Sequence, residues 1–170
     1  MITNNAKVAM LGRMICAPTS AVHNTGIPLK IKSGTTKYFD TKTNIIIVFS
    51  SDTTPIEFGS GTTPASETDY ALETPLSNIT YISTETVGSE NGKAKRELTL
   101  TLTNENDSKV TIAEIGLFGS AYTCSSTTAT TSSSSSILID RTVLETPVEI
   151  AAGGNAVIKY AITAGWPTEA

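Results

Sequence analysis

The sequence predicts an all-β protein, an antiparallel β-sandwich of immunoglobulin-like or jelly-roll type with a short N-terminal helix. Three observations predict it. First, residues 97–119 alternate. Leu98, Leu100 and Leu102 fall on one face and Thr99, Thr101 and Thr103 on the other, and Val110, Ile112, Ile115 and Leu117 follow after a polar break. A period of two marks a half-buried strand. Second, seven or eight such runs are spaced by turn-forming residues along the chain, the spacing of a sandwich. Third, only 16% of the 170 residues are charged, against about 25% in an average domain. Thr and Ser supply much of the polar surface, and branched Thr suits a pleated sheet.

Taken in order, Thr3 or Asn4 caps a helix over 5–15, where Val8, Leu11, Met14 and Ile15 make one apolar stripe. Residues 1–19 thus form a helical arm. The stripe fits two readings: an arm docking on a neighbouring subunit, or a helix closing one end of its own domain. The sandwich domain spans 20–163. Short strands are expected at 27–31 and 37–40. Ile45 to Phe49 are continuously apolar, so 44–50 reads as a strand covered on both faces. Residues 58–75 form a long loop with one helical turn at 66–72. Strands at 79–87 and 94–103 flank Asn91-Gly92, a strong hairpin signal.

The segment 97–119 then reads as a central hairpin. Asn104, Asn106, Asp107 and Ser108 make the turn, because such side chains bond to nearby backbone. A change of phase at Ala113 and Glu114 suggests a bulge. Residues 120–136 are almost all Ser, Thr and Ala. They read as an exposed, mobile loop, or one that reaches across to a partner. Strands at 137–144 and 156–163 close the domain around a turn at 151–155. Residues 164–170 form a tail, in which Trp166 is either an interface anchor or cover for the end of the core.

The composition excludes several classes. A net charge of −4 does not favour nucleic acid. No apolar run reaches membrane-spanning length, and no secretory signal is expected. Cys16 and Cys124 stand far apart with no CxxC, and two buried thiols are expected ahead of a disulfide.

No catalytic, cofactor-binding or metal-ligating residue is assigned, and no cofactor is expected. His23 is the only histidine and sits in a loop without the partners a base or metal site needs. Gly59 and Gly61 hint at a phosphate cradle, but the lysine and following helix of a P-loop are missing. Gly59-Ser60-Gly61 is not a nucleophile elbow. Asp69 and Glu73 are an acidic pair without a calcium-loop pattern and read as solvated charges. Asn78 and Asn106 open glycosylation patterns that, without a secretory signal, carry no meaning.

Three segments together resemble something known: 59–75, containing Gly59, Gly61, Asp69 and Leu72; 98–118, ending Glu114-Ile115-Gly116-Leu117-Phe118; and 138–155, containing Arg141 and Pro147. Over residues 57–163 the order is similar to small β-rich structural proteins of tailed bacteriophages. The resemblance implies a virion component, made in the bacterial cytoplasm and assembled in many copies on capsid, neck or tail. Its partners would be itself, as a homo-oligomer, and other virion proteins, with neither nucleic acid nor membrane. A carbohydrate- or surface-binding module of a fibre is the alternative, though only 6% of residues are aromatic. Independently of the family, Gly116 allows close approach to the sheet, Phe118 plugs its edge, Arg141 can pair with Glu114 across strands, and Pro147 marks an edge or a strand start. An exposed ion pair of that kind would add little.

Overall fold

The computed structural model describes residues 24–40, 56–90 and 93–164. The expected helix over 5–15, the apolar run 44–50, His23, Cys16 and Trp166 lie outside them. Within them the chain is all-β, without a helix. Its eight strands are β1 (Asn24–Lys30), β2 (Thr36–Asp40), β3 (Ile56–Gly59), β4 (Ile79–Glu90), β5 (Lys93–Asn104), β6 (Val110–Cys124), β7 (Ser133–Ile150) and β8 (Asn155–Ala164). They form two antiparallel sheets. One has the order β1-β2-β6-β3 with β7 also on β6, and the other is β4-β5-β8. The chain divides into two compact units, 1–76 with 112–147 and 77–111 with 148–170. β6 and β7 each begin in one unit and end in the other.

In the second unit, β4 and β5 pair without a break from Ile79↔Asn104 to Glu90↔Lys93. Two residues remain between the strands, as the Asn-Gly signal predicts. β8 lies along the far side of β5, with Leu98↔Tyr160 and Leu100↔Ile158. Leu98, Leu100, Leu102, Ile158 and Tyr160 are all buried. The even-numbered face of β5 and β8 therefore holds this sheet to its core, each large side chain contributing roughly 1.5–3 kcal/mol. The opposite face carries Thr99, Thr101, Val157 and Lys159.

The segment 97–119 is not a hairpin. β5 pairs with β4 and β8, and β6 pairs with β2, β3 and β7. The link 105–109 carries the chain from one sheet to the other. Alternation reports which face is buried but not which strand lies alongside. Asn104 shows what the polar break does instead. Its side-chain amide donates to the carbonyls of Ser108, Ile150 and Ala151, and its oxygen accepts from the backbone N–H of Asn106. Its backbone bonds to the 151–155 turn through Gly153 and Gly154. Gly153 takes a φ of 64° there, a conformation that favours glycine. The bulge expected at Ala113 and Glu114 does not interrupt the pairing with β3, which includes Glu114. Register with β3 runs unshifted from Glu114 to Leu117, and Ile112 to Gly119 are all buried. The phase change marks a strand covered on both faces.

In the first unit, Leu29, Phe39, Ala121 and Ile137 form one buried cluster. Leu72, Phe118 and Leu138 form another. The Ser/Thr-rich stretch 120–136 is mostly strand rather than loop. Ser120 to Cys124 complete β6, and Ser133 to Ser136 begin β7. Only 125–132 connects them. Low complexity hides these strands because their hydroxyls replace apolar packing with hydrogen bonds. The Thr123 hydroxyl bonds to that of Ser135 at 2.7 Å, the Lys37 ammonium donates to Ser135 at 3.1 Å, and Ser120 bonds to Ser134. The expected helical turn at 66–72 is a tight turn, in which the Asp69 N–H donates to the Ser66 carbonyl. Cys124 is buried, and its thiol pKa is raised by burial and by nearby Asp40.

Candidate functional site

The chemistry-bearing residues of the first unit converge on one carboxylate. Glu114 lies on β6 opposite Gly59 of β3 and is fully buried. An isolated buried charge is costly unless paired and hydrogen-bonded. Four donors meet this one. The N–H groups of Gly61 and Thr74 donate to Oε1 at 3.2 and 2.8 Å. The Glu73 N–H and Arg141 Nε donate to Oε2 at 3.1 and 2.7 Å. Three of the four donors belong to the 60–76 loop, so the carboxylate ties that loop down.

The two glycines make this contact possible. A Cβ on Gly59 would lie 2.3 Å from Glu114 Oε1, and one on Gly61 would lie 2.6 Å from the Glu73 Cβ. Gly59-Ser60-Gly61 is therefore a cradle, but for an internal carboxylate rather than a phosphate.

Arg141 reaches in from β7 and is 3% exposed. Besides Glu114, its guanidinium donates to Asp69 Oδ2 at 2.9 Å and, more weakly, to Glu73 Oε2 at 3.4 Å. Burial works against its charge, but the bonds to Glu114 and Asp69 outweigh it and hold its pKa above the ordinary arginine value. Asp69 also accepts from the Ser66 N–H at 2.9 Å. Glu73 accepts from the Thr63 hydroxyl at 2.6 Å and the Thr63 N–H at 2.9 Å. Those bonds, with Arg141 behind them, hold the Glu73 pKa below the usual carboxylate value. Three carboxylates against one guanidinium leave excess negative charge. Five backbone N–H groups, from Gly61, Ser66, Thr63, Glu73 and Thr74, supply the compensating dipoles.

Asp69 and Glu73 are thus ion-paired to Arg141 while keeping contact with solvent, their side chains 21% and 41% exposed. The Arg141–Glu114 pair is buried rather than an exposed bond of little worth. Among the described residues no group of three or more His, Cys, Asp or Glu side chains is arranged to hold a metal ion. Both oxygens of Glu114 are engaged by arginine and backbone, so this buried carboxylate is arranged as a structural acceptor.

Above the ion pairs lies an open cleft of about 500 Å³ lined by Lys30, Tyr70, Asp69, Glu73 and Arg141, among others. The Lys30 ammonium sits 4.0 Å from the centre of the Tyr70 ring, a cation–π contact. Beneath the loop, Gly116 is covered by apolar atoms, and a Cβ there would come within 2.8 Å of Leu72 and 2.9 Å of Phe118. This is the close approach the sequence predicts for Gly116. The Lys32 ammonium lies 4.8 Å from the centre of the Phe118 ring and pairs with Glu57.

The sequence motifs name nearly every member of this assembly: Gly59, Gly61, Asp69, Leu72, Glu114, Gly116, Phe118 and Arg141. Sequence reasoning missed the roles of Thr63 and of the Ser66 and Thr74 amides, because a backbone donor leaves no residue-type signal. No protein-family model, no curated protein and no solved structure matches the chain.

Proposed function

We propose that this chain is a non-enzymatic structural component of a tailed-bacteriophage virion, present in many copies on the capsid, neck or tail. In this reading its two sheets form an immunoglobulin-like or jelly-roll sandwich, and its partners are further copies and other virion proteins. One observation carries the reading. Gly59, Gly61, Asp69, Glu114 and Arg141, five of the residues that make the resemblance, are far apart in sequence yet meet in one assembly, centred on buried Glu114, that anchors a loop to a sheet. Motif residues that serve a framework support a scaffold role better than a chemical one. The test is fractionation of virus particles from the source culture on a density gradient. The chain is expected to sediment with megadalton particles in fixed ratio to their other proteins. Recovery only as a free, slowly sedimenting species would overturn the proposal.

A further inference from the structure

The open cleft above the ion pairs is built by three parts of the first unit: β1, the 60–76 loop and β7. Its walls carry two cations, Lys30 and Arg141, and two anions, Asp69 and Glu73. A free anion entering the cleft meets both carboxylates, and a free cation meets the ammonium and the guanidinium. Such like-charge contacts disfavour either kind of ion. A neutral, polar ligand meets no such opposition.

Two polar groups of the cleft are left to such a ligand. Asp69 accepts from Arg141 and from the Ser66 N–H through Oδ2 alone, and among the described residues nothing donates to its Oδ1. The Tyr70 hydroxyl likewise has no hydrogen-bond partner among the described residues, although the ring itself is fixed. The Lys30 ammonium sits over it, 4.0 Å from its centre. Gly34 closes on its hydroxyl end, where a Cβ would come within 3.3 Å of Cε2. Gly34 takes a φ of 82°, which favours glycine, and its N–H donates to the Ile31 carbonyl at 2.8 Å. Arg141 fixes Asp69 in the same way that Lys30 and Gly34 fix Tyr70. Groups positioned before the ligand arrives lower the ordering cost of binding. With Lys30 over the ring, the cleft offers hydrogen bonds more than a stacking face.

We infer that this cleft binds a carbohydrate, one sugar hydroxyl donating to Asp69 Oδ1 and another pairing with the Tyr70 hydroxyl. A neutral sugar presents neighbouring hydroxyls that both donate and accept, and a hydroxyl bonded to a carboxylate makes a charge-assisted bond. The volume of about 500 Å³ falls within the range of roughly 300–1,000 Å³ usual for small-molecule sites. The open side leaves room for a longer glycan to run on. This binding function goes beyond the virion role and does not depend on it.

Saturation-transfer NMR on the full chain tests it. The probes are the methyl glycosides of glucose, galactose, N-acetylglucosamine and rhamnose, each alone, with acetate and tetramethylammonium as ionic probes. Transfer to at least one glycoside and to neither ion is expected. Tyr70→Phe removes only the hydroxyl. With its β circular-dichroism spectrum unchanged, it is expected to weaken that glycoside roughly two- to tenfold. Thr101→Val, on the other sheet, is expected to bind as the parent does. No transfer to any glycoside, or a preference for either ion, would overturn the carbohydrate cleft. So would equal affinity in Tyr70→Phe and the parent, or an equal loss in Thr101→Val. A chain that sediments with particles yet shows no transfer keeps the virion role and loses the cleft. One that binds a glycoside but is recovered only as a free species does the reverse.

Discussion

At the scale of single residues, Arg141 and Glu114 carry the most weight. Removing one partner of a buried ion pair leaves the other charge uncompensated, which costs about 3–5 kcal/mol. Arg141→Met is therefore expected to lower unfolding free energy by roughly that amount, measured by chemical denaturation. A loss no larger than that of an ordinary surface change, within about 0.5 kcal/mol, would mean that Asp69, Glu73 and Glu114 do not depend on it. Glu73 gives a pH signature. Its pKa is depressed in the folded protein, so its contribution is present above its unfolded pKa and lost as pH falls through the folded value. Thr63→Val removes the hydroxyl bond, the largest cause of that depression. Thermal unfolding followed between about pH 3 and 6 is expected to show the variant losing this stability at higher pH than the parent. Parallel curves would show that the Thr63 hydroxyl does not set the Glu73 titration.

At the scale of elements, faces were legible and partners were not. The alternation of Leu98, Leu100 and Leu102 located a buried face, and Asn91-Gly92 located the β4–β5 connection. Nothing in that pattern distinguishes a strand that folds back on its neighbour from one that changes sheet. The answer lay in Asn104, whose amide bonds to carbonyls of residues 150 and 151, contacts distant in sequence. The serine tract misled for a related reason. Hydrophobic periodicity cannot register a strand pair held by hydroxyls. Replacing 125–132 with a short Gly-Ser linker is expected to leave the melting temperature nearly unchanged, since surface turns add little closure entropy. Extending the replacement through Ser135 removes its bonds to Thr123 and Lys37 and is expected to lower it. Equal melting temperatures for the two replacements would mean that these hydroxyl contacts do not hold β6 to β7.

At the scale of the whole molecule, the all-β class was legible because strand count and composition are sums over the chain. The members of the candidate site were legible through their spacing pattern, but their burial was not. Arg141 and Glu114 are charged residues separated by 27 positions, and such residues are usually solvated. Only the topology, which lays the 60–76 loop over β6 beside β7, takes them out of water. That closure has a consequence for how such a sequence can drift. Glu114 without Arg141 leaves a buried anion, Arg141 without Glu114 a buried cation, and either glycine with a side chain strikes Glu114 or its neighbours. Each single step is uphill, and only a joint replacement by apolar side chains offers a path around. Descendants of this chain should therefore keep Gly59, Gly61, Glu114 and Arg141 as a set or exchange them as a set, while the turn at 125–132 accumulates changes independently.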